Sequence, residues 1–100
     1  MDLRAFRTSL ADSSPPPQLP PALRALWHAA KDEWQRAHNI VQDEADRDSA
    51  WVHAYLHRKE GDLDNAGYWY RKARQSASAQ SLSQEWEAIA SALLSDVASQ

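Results

Sequence analysis

The stretch from Ala50 to Ala73, AWVHAYLHRKEGDLDNAGYWYRKA, constrains the fold of this chain more than any other. Its apolar residues recur at helical spacing on both sides of Gly61-Asp62, so the pattern specifies two amphipathic helices folded into a hairpin. The pattern is echoed 29 positions earlier when residues 22–44 are laid over 51–73. Ala25 then falls on Ala54, His28 on His57 and Ala37 on Ala66. Leu23 with Val52, Leu26 with Tyr55, Trp27 with Leu56, Trp34 with Leu63, Ile40 with Trp69 and Val41 with Tyr70 extend the register with conservative matches. A helical hairpin that recurs at a fixed offset is the mark of an α-solenoid, in which each unit covers its neighbour's apolar face.

One hundred residues bound the answer to one domain with a limited core. Five tryptophans in so short a chain indicate bulky packing, and 25% charged residues with 43% hydrophobic ones argue against wholesale disorder. The net charge is −3 and the eleven basic residues are scattered, which argues against nucleic acid as a partner. The lack of cysteine excludes disulfides, thiolate metal sites and cysteine nucleophiles. No apolar run approaches the roughly 20 residues of a membrane span. The first residues, MDLRAFRTSLADSS, break their apolar pattern with charges and do not form a signal peptide. The expectation is a cytoplasmic protein without membrane contact.

Residues 1–18 read as a flexible N-terminal arm, because Ser13-Ser14-Pro15-Pro16-Pro17 favours extended polyproline structure. Leu3, Phe6 and Leu10 leave open a short helical turn that docks on the body. Residues 19–100 read as one helical domain. A first helix starts near Pro20-Pro21 and runs to Ala30, and others cover 33–44, 48–60 and 62–74. Trp51, Val52, Ala54, Tyr55 and Leu56 span roughly 200° of a helical wheel, too wide for an outer helix, so that helix is expected at the centre. Ser81 and Gln84 form a capping-box pattern that opens a fifth helix. Its single apolar face of Leu82, Trp86, Ile89, Leu93, Leu94 and Val97 suits a terminal cap.

With Ala54, Gly61-Asp62-Leu63, Ala66, Tyr70 and Ala73 in place, the second hairpin resembles a tetratricopeptide repeat. The first hairpin keeps Ala25, Ala37 and Val41 but has Asp32 and Glu44 at the turn and closing positions. Its spacing of 29 is shorter than the roughly 34 of that family. The same stretch is also similar to a small bacterial family, which implies no activity. The tetratricopeptide resemblance implies an all-α, right-handed α–α superhelix, here of five helices, that binds a protein or peptide on the inner face of its first helices. By position that face carries Trp51, Tyr55, Arg58 and Lys59, two aromatics beside two cations suited to a peptide carboxylate. The alternative for Trp51 and Tyr55 is burial in the core.

Tyr68 falls among Asp64, Asn65, Arg71 and Lys72, off the apolar stripe of its helix, and is expected to be an interface anchor or a ring lying over a neighbouring element. Gly67 beside it points to close approach by another helix or chain. His53, His57 and Glu60, at i, i+4 and i+7, form a candidate metal site, with His28, His38 and Asp62 as further candidates. The glutamate of a zinc-protease HExxH helix is missing, since Ala54 follows His53. The leading expectation is a non-catalytic interaction module, possible as a homodimer and needing no cofactor. The alternative is a metal-binding protein or metal-dependent hydrolase using His53, His57 and Glu60.

Overall fold

The computed structural model describes residues 1–98, whose regular structure is entirely helical. In chain order the helices are α1 (Leu3–Thr8), α2 (Pro21–Ala30), α3 (Trp34–Val41), α4 (Arg47–Glu60), α5 (Leu63–Ala73) and α6 (Leu82–Ala98). A 3-10 turn, Ser9–Ala11, follows α1. The five expected helices are α2 to α6, and the expected count is corrected to six by α1. None of the described helices is long and apolar enough to cross a membrane.

Local chemistry sets the boundaries. Pro21 occupies the first turn of α2, where a missing N–H costs nothing. Asp46 caps α4 by accepting from the Ser49 amide at 2.9 Å, and Asp62 caps α5 by accepting from the Asn65 amide at 3.3 Å. Ser81 and Gln84 exchange side-chain bonds with each other's backbone amides at 3.1 and 3.3 Å, forming the capping box that opens α6. Helix α3 stops at Val41, three residues short of expectation, and leaves Asp43 and Glu44 in the connecting loop. A longer helix would hold both carboxylates at its negative end.

Each hairpin turns through a left-handed residue, Asp32 at φ 59° and Gly61 at φ 90°. The bonds around the turns match. Glu33 N–H reaches His28 C=O at 3.0 Å where Asp62 N–H reaches His57 C=O at 2.9 Å. Asp32 N–H reaches Ala29 C=O at 3.1 Å where Gly61 N–H reaches Arg58 C=O at 3.0 Å. These are helix-terminating bonds that satisfy otherwise orphaned carbonyls.

Helices α2 and α3 pack as one hairpin and α4 and α5 as the other, with α4 also touching α2, α3 and α6. The wide apolar arc of α4 thus corresponds to a central position. Helix α6 lies on α2 and α4, and α1 lies on α6. The main core joins Leu23, Leu26, Trp27, Val52, Leu56 and Ile89, all essentially without exposure. Buried and half-buried tryptophans tie elements together through their indole N–H groups. Trp34 donates to Leu56 C=O at 2.7 Å, Trp86 to Leu26 C=O at 2.9 Å and Trp27 to Ser9 Oγ at 3.1 Å.

Part of the 1–18 segment is docked rather than free. Phe6 is fully buried and stacks on Trp86 with ring centroids 5.7 Å apart. Lys31 Nζ donates to the carbonyls of Leu10 and Asp12 at 2.8 and 2.9 Å, and Arg7 pairs with Glu87. The spacing of Leu3, Phe6 and Leu10 carries this contact, since all three side chains belong to the main core or its edge.

Candidate functional site

The face of α4 that carries Tyr55, Arg58 and Lys59 is occupied by the chain itself. Tyr55 is 3% exposed. Arg58 Nη1 donates to Glu85 Oε1 at 2.8 Å, and its second terminal nitrogen bonds Gln80 C=O. Glu85 lies 2% exposed in α6, and its other oxygen accepts from the Tyr70 hydroxyl at 2.5 Å. Lys59 Nζ donates to Ala29 C=O at 3.0 Å, closing the end of α2, and lies 3.4 Å from Asp32 Oδ1. Trp51 is half-buried against both core clusters and borders a cavity of about 300 Å³ beneath residues 75–80. Burial, reinforced by the Glu85 charge, pushes the Tyr55 hydroxyl up to about 12. Burial and then the Glu85 hydrogen bond push Tyr70 up as well.

Glu85 is absent from the expectations above, although Leu82, Glu85 and Ile89 share one helical face. A carboxylate on an apolar face signals a buried partner, and two were available in Arg58 and Tyr70.

Helix α5 has a different environment. Tyr68 is 45% exposed and Leu63 67% exposed. The Lys72 ammonium lies 5.4 Å from the Tyr68 ring centroid and 5.6 Å from that of Trp69, within cation–π range of both. A Cβ built on Gly67 would meet only the Arg71 guanidinium, at 3.5 Å, so among the described residues no other element comes within 4 Å there.

Behind α5 lies a cluster of imidazoles. His53 and His57 stack at 4.8 Å between ring centroids on α4. His38, from α3, stands edge-on to both, with its Nε2 3.1 Å from His53 Nε2. Trp34 stacks on His38 at 4.8 Å and Trp69 on His53 at 3.9 Å, so the rings are sandwiched between two indoles. His57 Nδ1 bonds Glu60 Oε2 at 2.6 Å, and its Nε2 lies 3.4 Å from Asn65 Nδ2. The expected trio is therefore rearranged: His53 and His57 meet, His38 takes the third place, and Glu60 holds the back of His57. His28 lies apart, bonded to Glu33 at 2.9 Å and edge-on to Trp27.

Burial, and next the charges of His38 and His57, lower His53 to about 4, and burial followed by His57 lowers His38. Both are neutral bases at physiological pH. One ring nitrogen of each of His38, His53 and His57 lies within 4.8 Å of the others, and His57, Glu60 and Asp62 form a second such group. His38 Nδ1 and His53 Nδ1 are buried without a hydrogen-bond partner among the described residues, a condition that costs about 1–3 kcal/mol for each such group.

No family model matches the chain, and neither a curated protein nor a solved structure matches it at a significant level.

Proposed function

We propose that the protein is a non-catalytic interaction module: two tetratricopeptide-like hairpins in a right-handed α–α superhelix, closed by α6, that bind a protein or peptide through the outer surface of α5. The carrying observation is that α5 packs chiefly on α4, with Tyr70 reaching Glu85 of α6, while it presents Leu63 and Tyr68 to solvent. Exposed tyrosine in a ring of charge is the composition of an interface anchor. The matching turns at Asp32 and Gly61 support the repeat reading. Recognition moves from the inner to the outer face because Arg58 and Lys59 already have partners within the chain. A second copy of the chain satisfies the same proposal, and a cytoplasmic setting belongs to it.

The test is capture of partners by wild-type protein against a Leu63→Glu/Tyr68→Ala variant, with the assembly state of both followed by light scattering. The reading expects a partner, or a dimer, that the variant loses while retaining its helix content. A monomer that captures nothing, or a variant that captures everything wild type does, contradicts it.

A further inference from the structure

Three of the four histidines in this chain are drawn from two helices into one cluster, with His53 and His57 buried and His38 half-buried. His38 Nε2 and His53 Nε2 face each other at 3.1 Å, and only one of them can hold a proton if they bond to each other. Two nitrogens that bind one zinc at about 2.05 Å in tetrahedral geometry are themselves about 3.3 Å apart, so the spacing also suits two ligands of one ion. A ring nitrogen of His57 lies within 4.8 Å of one from each of them, and Glu60 accepts from His57 Nδ1 at 2.6 Å. That places the proton on Nδ1 and leaves the Nε2 lone pair free, the carboxylate–histidine arrangement that orients metal ligands. The fourth side holds Asn65, whose amide lies 3.4 Å from His57 Nε2 and presents its oxygen there when turned over.

We propose that His38, His53 and His57 bind one divalent transition metal of the zinc class, with Asn65 Oδ1 closing the coordination and Glu60 positioning His57. Imidazole nitrogens with one amide oxygen suit zinc, nickel or cobalt and disfavour calcium and magnesium. The ligands come from α3, α4 and α5, so the ion staples the first hairpin to the second. His53 and His57 are 3% and 6% exposed under Trp34 and Trp69, which leaves no approach for a substrate and makes the ion structural. Ligation through the Nε2 atoms puts the ring protons of His38 and His53 on their buried Nδ1 atoms, which have no partner among the described residues, so the metal–nitrogen bonds must also offset that cost. Metal binding needs no partner at the outer surface of α5, although Asn65 belongs to that helix.

The test uses full-length untagged protein stripped with a chelator and titrated with zinc chloride by calorimetry, then with cobalt chloride by visible absorption. One equivalent of zinc binds, cobalt gives the intense bands of four-coordinate geometry, and the melting temperature rises with either ion. His38→Phe and His53→Phe, which keep the ring stacks, lose more than 100-fold in zinc affinity. Glu60→Gln weakens binding about 10-fold to 100-fold through the orientation of His57. Folded wild-type protein that takes up no stoichiometric zinc overturns the proposal. So does a folded His38→Phe variant with wild-type affinity, because His38 joins the site only through the packing of α3 on α4.

Discussion

Asp32 and Gly61, 29 positions apart, both hold the chain in the left-handed region and end the first helix of their hairpins with the same pair of backbone bonds. Only one of the two residues is suited to that conformation, since glycine alone enters it without a Cβ penalty. Gly61→Ala should therefore destabilise the protein by about 1 kcal/mol through backbone strain alone, as nothing lies within 4 Å of the added Cβ. Asp32→Gly should stabilise it by about 0.5 kcal/mol, because the Asp32 contact with Lys59 is exposed and contributes little. Chemical denaturation of both variants reads the opposite signs directly.

Phe6 packs against Trp86 from outside the two hairpins. Phe6→Ala removes a fully buried ring and should cost about 3 kcal/mol, roughly 12–24 °C in Tm. A variant that melts with wild type would show that the first residues do not stay docked.

Glu85 joins α6 to both helices of the second hairpin through Arg58 and Tyr70. Glu85→Leu strands the guanidinium and the hydroxyl, and should cost about 3 kcal/mol, the low end for a broken buried pair because Arg58 retains some contact with water. Adding Arg58→Met should recover part of the loss, as a double-mutant cycle would measure.

Alongside Tyr70, whose hydroxyl burial also raises, Tyr55 sets the alkaline limb of stability. Its hydroxyl is held at about 12 in the folded protein, chiefly by burial, against 10.0 for an ordinary tyrosine. The unfolded chain therefore releases this proton first. Stability linked to the group is complete below pH 10 and is lost as pH rises from 10 towards 12. Tyr55→Phe should flatten the fall in Tm over that window.

Helical periodicity was legible because apolar spacing reports which face of each helix is buried, and the buried set includes Leu23, Val52, Leu26 and Tyr55 at matched positions. The docking of α1 was legible only as the spacing of Leu3, Phe6 and Leu10, since the proline-rich stretch after them hides where the segment returns. Arg58 and Lys59 looked like free cations because their partners Glu85 and Ala29 lie 27 and 30 residues away. His38 has the same cause. Its place beside His53 depends on how α3 crosses α4, and one helix's periodicity carries no information about that crossing.

The central claim is that α6 closes the inner face and leaves recognition to α5. The measurement that tests it most directly is photo-crosslinking in cells, with benzoylphenylalanine placed either at Tyr68 or at Lys59. The account predicts a specific adduct from position 68 and none from position 59, which faces Ala29 and Asp32 of the chain itself. An adduct from position 59 alone would contradict it and return the binding surface to the inner face of the hairpins.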